Sequence, residues 1–189
     1  SLAGRLVSVS MAFAPAKLMS REFFAIINAR ERAPWQWDHR VKLSRQALQD
    51  IDWLLVNMGK HNGRLAWRPP VTRVVEVDAS TSVGCGGRFL GLSPGEPGTS
   101  FGLHWTPELE QEWGLHTANL KELAGVLVAL MTFKDMLKDS VVEFRLDSVS
   151  ARAHLNNQGG SVGLVHYKEM MALVRRIWSL CFEYNIVLA

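Results

Sequence analysis

Val-Val-Glu-Val-Asp-Ala-Ser (74–80) is the stretch that decides the fold of this 189-residue chain. Its β-branched residues favour a strand, and the strand ends near an aspartate, Asp78. Two more acidic residues follow a similar pattern: Glu122 opens a long apolar helix, and Asp147 ends a second β-rich run. The order strand-Asp, helix-Glu, strand-Asp predicts three carboxylates at one end of a sheet, where they can bind hard divalent cations.

Hydrophobic periodicity and turn residues predict the elements around these acids. We expect strands over residues 72–79, 84–90, 101–105 and 141–147, with a fifth strand starting at 186–189, and helices over 117–138, 149–156 and 166–183. A loop at 91–100 and a polar insertion of one or two helical turns at 106–113 complete the order. Three antiparallel strands, a helix, a strand, helices and a strand predict an α/β fold with a mixed five-stranded sheet and flanking helices.

The first 70 residues have a different pattern, which predicts a small helical subdomain in front of an α/β domain over 71–189. Helices are expected over 2–13, over 16–32, and from an N-cap at Ser44 to about Met58, with Gly59 as the stop signal. An aromatic loop at 33–39 separates the second helix from the third. Its Trp35 and Trp37 could stack on bases, but packing between helices is the preferred interpretation.

Charge differs between the two parts of the chain. Residues 1–70 contain 11 Lys and Arg against 5 Asp and Glu, whereas residues 71–189 contain 10 against 13. The basic part could contact phosphates, although chance variation is the simpler alternative. The longest apolar stretch, 123–131, is too short for a membrane span, and the sequence shows no signal peptide. With Cys85 and Cys181 expected as free thiols, we predict an intracellular protein, cytoplasmic or nuclear.

Each acidic residue has an ordinary explanation when it is considered alone. An aspartate at a strand end is commonly a turn or capping residue, and Glu122 could be a first-turn glutamate favoured by the helix dipole. However, positions 122, 126, 129 and 133 share one helical face, and the other three are Val, Ala and Phe. A glutamate on that face points toward the sheet, where an unpaired charge is costly. A bound cation would remove this cost.

Two other features carry weaker signals. Gly84-Cys-Gly-Gly87 lacks the residues of a P-loop and the helix of a dinucleotide-binding motif. Such glycines let another backbone approach, for example a nucleic-acid strand, but a β-bulge is the preferred interpretation. Histidines 104, 116, 154 and 166 show no zinc-ligand spacing, so we expect structural or surface roles for them.

Three motifs resemble a known family. They are Val77-Asp78-Ala79-Ser80 followed by Gly84-Cys85-Gly86-Gly87, His116 followed by Asn119-Leu-Lys-Glu122-Leu, and Leu146-Asp147-Ser148 followed by Leu155-Asn-Asn-Gln-Gly-Gly-Ser161. They resemble Thr-Asp-Ala-Ser…Gly-Trp-Gly-Ala, His-Ile-Asn-x-x-Glu-Leu and Asp-Asn…Tyr-Ile-Asn-Lys-x-Gly-Gly-Ser in the ribonuclease H region of retroelement reverse transcriptases. DIRS-type tyrosine-recombinase retrotransposons are the most similar. Residues 38–53 resemble the helical linker between polymerase and ribonuclease H in those proteins.

The resemblance implies a ribonuclease H-like fold and a metal-dependent endonuclease that cleaves the RNA strand of RNA/DNA hybrids. Asp78, Glu122 and Asp147 would be both the catalytic residues and the metal ligands, holding two Mg²⁺ ions, with Mn²⁺ as a substitute. The products would carry a 5′-phosphate and a 3′-hydroxyl. The implied partners are the hybrid and the polymerase region of the same polyprotein, and no membrane.

The chain also departs from the family pattern. Cys85 and Ser148 replace Trp and Asn, and no polymerase Asp-Asp motif is present. The family has a fourth carboxylate in an Asn-x-x-Ala-Asp segment just after strand five, and the sequence ends at Ala189, before that segment. We therefore expect this 189-residue form to be a weak or inactive nuclease. A non-catalytic module that binds nucleic acid or protein is one alternative; a transposase or integrase is another, although their third acid is usually a glutamate on a late helix.

Overall fold

The computed structural model describes residues 1–31, 40–63, 69–90 and 98–189. The chain divides into two compact units, Ser1–Ala66 with Ser161–Gly163, and Trp67–Gly160 with Leu164–Ala189. Two predicted loops fall wholly or mostly outside the described residues: the aromatic loop with Trp35 and Trp37, and the loop predicted at 91–100. No described helix is both long enough and apolar enough to cross a membrane.

The first unit contains three helices, α1 (Leu2–Ser8), α2 (Ala16–Glu31) and α3 (Arg45–His61). Ser44 caps α3 as predicted, because its hydroxyl oxygen accepts a hydrogen bond from the backbone N–H of Ala47. The same hydroxyl donates to the Glu22 carboxylate at 2.6 Å and so ties α3 to α2. The unit is therefore held by polar contacts as well as by its apolar core.

Two predicted helix ends in this unit were wrong. The first helix ends at Ser8 rather than near residue 13, and Phe13 instead forms an isolated antiparallel bridge with Asn62. The third helix continues through Gly59 to His61. Gly59 does not have a positive φ, and a Cβ placed on it would have no neighbour within 4 Å. A glycine ends a helix when it adopts the left-handed conformation, and Gly59 does not adopt it.

The second unit is a mixed α/β structure around a five-stranded sheet of order β3-β2-β1-β4-β5, with the arrangement of a ribonuclease H-like fold. The strands are β1 (Arg73–Ala79), β2 (Gly84–Leu90), β3 (Thr99–His104), β4 (Val141–Arg145) and β5 (Val187–Leu188). β1 to β3 pair antiparallel, whereas β4 pairs parallel with both β1 and β5. The predicted fold class is confirmed.

Helices connect and cover this sheet: α4 (Pro107–Trp113), α5 (Ala118–Leu137), α6 (Val149–Asn156) and α7 (Tyr167–Glu183). α5 is the central helix, and it packs on β1, β2 and α7. At Gly125 it lies so close to β1 that an added Cβ would meet the Val77 side chain at 3.0 Å. Val126, Ala129 and Phe133 are fully buried, so the predicted apolar face of α5 is confirmed.

Candidate metal centre

Asp78, Glu122 and Asp147 converge, as the sequence predicted. Each offers one carboxylate oxygen, and these three oxygens lie within 4.8 Å of one another. Three different elements contribute them: Asp78 is the penultimate residue of β1, Glu122 lies in the second turn of α5, and Asp147 follows β4. This set of carboxylates can bind a metal ion.

Asp78 is positioned by the strand and by the turn that follows it. Its neighbours Val77 and Ala79 lie against α5 at Gly125, whereas Asp78 is exposed near the end of the strand. Beyond it, the Ser80 hydroxyl accepts hydrogen bonds from two backbone N–H groups of the β1–β2 turn. The Trp105 indole donates to the Ser80 carbonyl at 2.8 Å. These bonds hold the end of β1 in place.

Lys121 fixes the first turns of α5 against the same turn. It is buried, and its ammonium group donates to the Thr81 carbonyl and to the Glu110 carboxylate. A buried lysine needs such partners, and these two join α5 to the β1–β2 turn and to α4. Because Glu122 is the next residue, the same contacts limit where its backbone can move.

Glu122 is the acidic residue whose environment is most unusual. Only 8% of its surface is exposed, and its Oε2 atom is buried with no hydrogen-bond partner among the described residues. Burial, followed by the negative charges of Asp147 and then Asp78, raises the pKa of Glu122 to about 7. A cation between the three carboxylates would satisfy the unpartnered oxygen and offset this repulsion.

The position of Asp147 depends on the pairing of β4 with β1, because Asp147 itself lies just beyond the end of β4. The prediction that β4 extends to Asp147 was wrong: β4 ends at Arg145, and Asp147 lies in a bend. The next residue, Ser148, caps α6 by accepting a hydrogen bond from the Ala151 N–H, so the chain leaves the sheet here to start a helix. Parallel pairing sets Glu76 opposite Arg145, which brings the ends of β1 and β4 together.

An open groove of about 410 Å³ begins at Asp78 and crosses β2 and β3. Glycines form much of its lining, and His104 also lines it; the glycines are Gly84, Gly86 and Gly102. Since these positions have no side chains, the backbone of another molecule can approach the sheet closely beside Asp78.

The predicted β-bulge at Gly84–Gly87 is absent from the described strands. β2 pairs without interruption with β1 and with β3. Another feature explains why glycine occupies these positions. A Cβ on Gly84 would lie 2.1 Å from the Leu103 carbonyl oxygen, and one on Gly87 would lie 2.3 Å from the Glu76 carbonyl oxygen. Neighbouring strands approach too closely for side chains at these positions.

A second group of possible metal ligands was missed by the sequence analysis. His116, His166 and Glu169 bring their donor atoms within 4.8 Å of one another. Fifty residues separate the two histidines, so no local motif indicates this cluster. Cys85 and Cys181 are free, as predicted. The structure adds that both are buried, and burial raises the pKa of the Cys85 thiol to about 11.

Comparison of the chain with protein-family models and with curated proteins finds no match.

Proposed function

We propose that this chain is a metal-dependent endonuclease that cleaves the RNA strand of RNA/DNA hybrids during reverse transcription of a retroelement. The observation that carries the proposal is the buried, unpartnered Oε2 of Glu122 between two other carboxylates. A structural glutamate would be paired, whereas a metal ligand is left unpaired until the ion binds. The sequence motifs around the same three acids supply the likeness to ribonucleases H.

The donor set supports Mg²⁺ as the cofactor, with Mn²⁺ as a substitute. All three side chains offer carboxylate oxygens, which Mg²⁺ and Mn²⁺ prefer over the imidazole and thiolate ligands typical of softer metals. Asp78, Glu122 and Asp147 would hold two ions. When bound, such ions activate a water molecule and stabilise the leaving oxygen of a phosphodiester.

The chain's own residues would bind and orient the hybrid. The glycine-lined groove beside Asp78 can accept a sugar-phosphate backbone, and exposed His104 on β3 can donate a hydrogen bond to it. Basic residues of the first unit, including exposed Arg40, Lys42 and Arg45, can neutralise phosphates. We also propose the polymerase region of the same polyprotein as a partner.

The test is cleavage of a hybrid labelled on its RNA strand, with Mg²⁺ present. We expect slow but measurable release of RNA fragments by the wild-type chain, in line with the weak activity expected from its sequence, and a further loss of at least about 100-fold for Asp147→Asn. Metal ions contribute several kcal/mol of transition-state stabilisation, and about 1.4 kcal/mol corresponds to a tenfold change in rate. The matched control is Glu112→Gln, an exposed acid on α4, which should cleave like the wild type.

Two results would refute the enzymatic proposal. One is wild-type protein that binds the hybrid tightly without cutting it in either Mg²⁺ or Mn²⁺, which would favour the alternative of a non-catalytic binding module. The other is cleavage that survives Asp147→Asn, which would indicate a contaminating nuclease. Cleavage of DNA duplexes at the same rate would contradict the proposed substrate.

A further inference from the structure

His116, His166 and Glu169 form a compact cluster apart from the three acids discussed above. His116 lies between α4 and α5, His166 precedes α7, and Glu169 lies in the first turn of α7. The two imidazole rings have their centroids 5.3 Å apart. Each of the three residues has at least one donor atom within 4.8 Å of the others' donor atoms. All three belong to the α/β unit.

The surrounding structure keeps these side chains together. Gly114 ends α4 in the left-handed conformation, with φ of 64°, and a Cβ at that position would lie 2.6 Å from Cγ of Glu169. The Arg176 guanidinium lies over the Trp113 ring, 4.4 Å from its centroid, and so holds the end of α4 against α7. The turn that carries His116 is therefore fixed beside the N-terminus of α7.

His166 has an uncommon backbone conformation. Its φ is 60°, in the left-handed region that few residues other than glycine adopt. It is the N-cap residue of α7, but its side chain makes no capping hydrogen bond. With this conformation the His166 ring lies beside that of His116.

The polar atoms of the cluster have no partners in the part of the chain that the structure describes. No hydrogen bond or ion pair involves the side chains of His116, His166 or Glu169 there. Two imidazoles and a carboxylate thus face one another without a proton-sharing contact. His116 is exposed, and the other two are half-buried, so a metal ion can reach them from solvent.

We propose that this cluster is a Zn²⁺ site that links the α4–α5 turn to the N-terminus of α7. Two histidines and a glutamate are an established ligand set for zinc, with the fourth position left to water. Tetrahedral ligands at zinc-nitrogen distances of about 2.0–2.1 Å lie roughly 3.3 Å apart. Small side-chain rotations would bring the three donors from their present separation to that distance. The proposal does not depend on the nuclease proposal.

The experiment titrates the full chain with Zn²⁺ by calorimetry, with excess Mg²⁺ to occupy the acidic centre. We expect one zinc site in the wild type. Loss of an outer partner of a zinc ligand already lowers affinity by about 10- to 100-fold, so loss of a ligand should lower it by at least about 100-fold. His116→Gln and His166→Asn are suitable variants, because His116 is exposed and asparagine tolerates a positive φ.

Matched controls separate this site from the others. His104→Gln and His154→Gln should bind Zn²⁺ like the wild type, and Asp147→Asn should do so even if it abolishes nuclease activity. In ¹⁵N spectra, Zn²⁺ should shift the ring nitrogens of His116 and His166 and leave the other histidine rings in place. Circular dichroism without metal would establish that each variant is folded. Zinc affinity unchanged in both His116→Gln and His166→Asn, or no zinc binding by the wild type, would overturn the proposal.

Discussion

Replacing Glu122 by glutamine removes a carboxylate that the folded protein holds in an unfavourable environment. Burial and the charges of Asp147 and Asp78 raise the pKa of Glu122 from 4.5 to about 7. At about 1.4 kcal/mol for each pKa unit, the ionised carboxylate destabilises the metal-free fold by up to about 3 kcal/mol. Glutamine has nearly the same shape and no charge, so the variant lacks this penalty.

The penalty depends on pH in a defined direction. Below about pH 4.5 the carboxylate is protonated in both the folded and the unfolded chain, and the penalty is absent. Between about pH 4.5 and 7 the unfolded chain loses the proton first, so wild-type stability falls as pH rises. Above about pH 7 both states are ionised, and the full penalty remains. The Glu122→Gln variant should therefore gain stability relative to the wild type as pH rises from about 5 to about 8, by up to about 2 kcal/mol.

The assay is urea denaturation of wild type and variant at those two pH values, with a chelator present, followed by near-ultraviolet circular dichroism. The difference between the two proteins removes the titration of groups distant from Glu122, and Glu112→Gln serves as a control at an exposed position. Adding Mg²⁺ should stabilise the wild type more than Glu122→Gln, because a ligand stabilises the state that binds it. If the stability difference between wild type and Glu122→Gln were the same at both pH values, the reasoning about Glu122 would be refuted.

Three other predictions follow from the same structure. Calorimetry with Mn²⁺ should show that Asp78→Asn lowers affinity at least about tenfold; equal binding by both proteins would remove Asp78 from the site. Three exposed cations, Arg40, Lys42 and Arg45, can be replaced together by glutamine. The slope of log affinity for a hybrid against log salt concentration should then fall by roughly 2 to 3, and an unchanged slope would show that these residues contact no phosphates. In thermal denaturation, Gly84→Ala should cost about 1–3 kcal/mol because its Cβ would collide with the Leu103 carbonyl. Gly102→Ala, with open space around it, should cost less, and an equal loss would contradict the close-approach argument.

Local patterns predicted most of the elements because their causes are local. Ser44 caps its helix through a hydroxyl three residues from the N–H it binds, and the apolar face of α5 follows from helical periodicity. Local patterns were wrong at two sets of glycines. Gly59 is a residue type that often ends a helix, but it does not adopt the left-handed conformation that would end one. The glycines of β2 are required by the close approach of neighbouring strands rather than by a bulge.

The sequence by itself determined the α/β order of elements and the identity of the three acids. These depend on residue types and on spacings of two and 3.6 residues, which any reader of the chain can count. Only the tertiary structure decided that Glu122 keeps an unpartnered oxygen, because burial depends on everything packed around α5. Only the tertiary structure shows that His116 lies beside His166 and Glu169. These residues are far apart in the sequence, and they meet because α7 packs beside the α4–α5 turn.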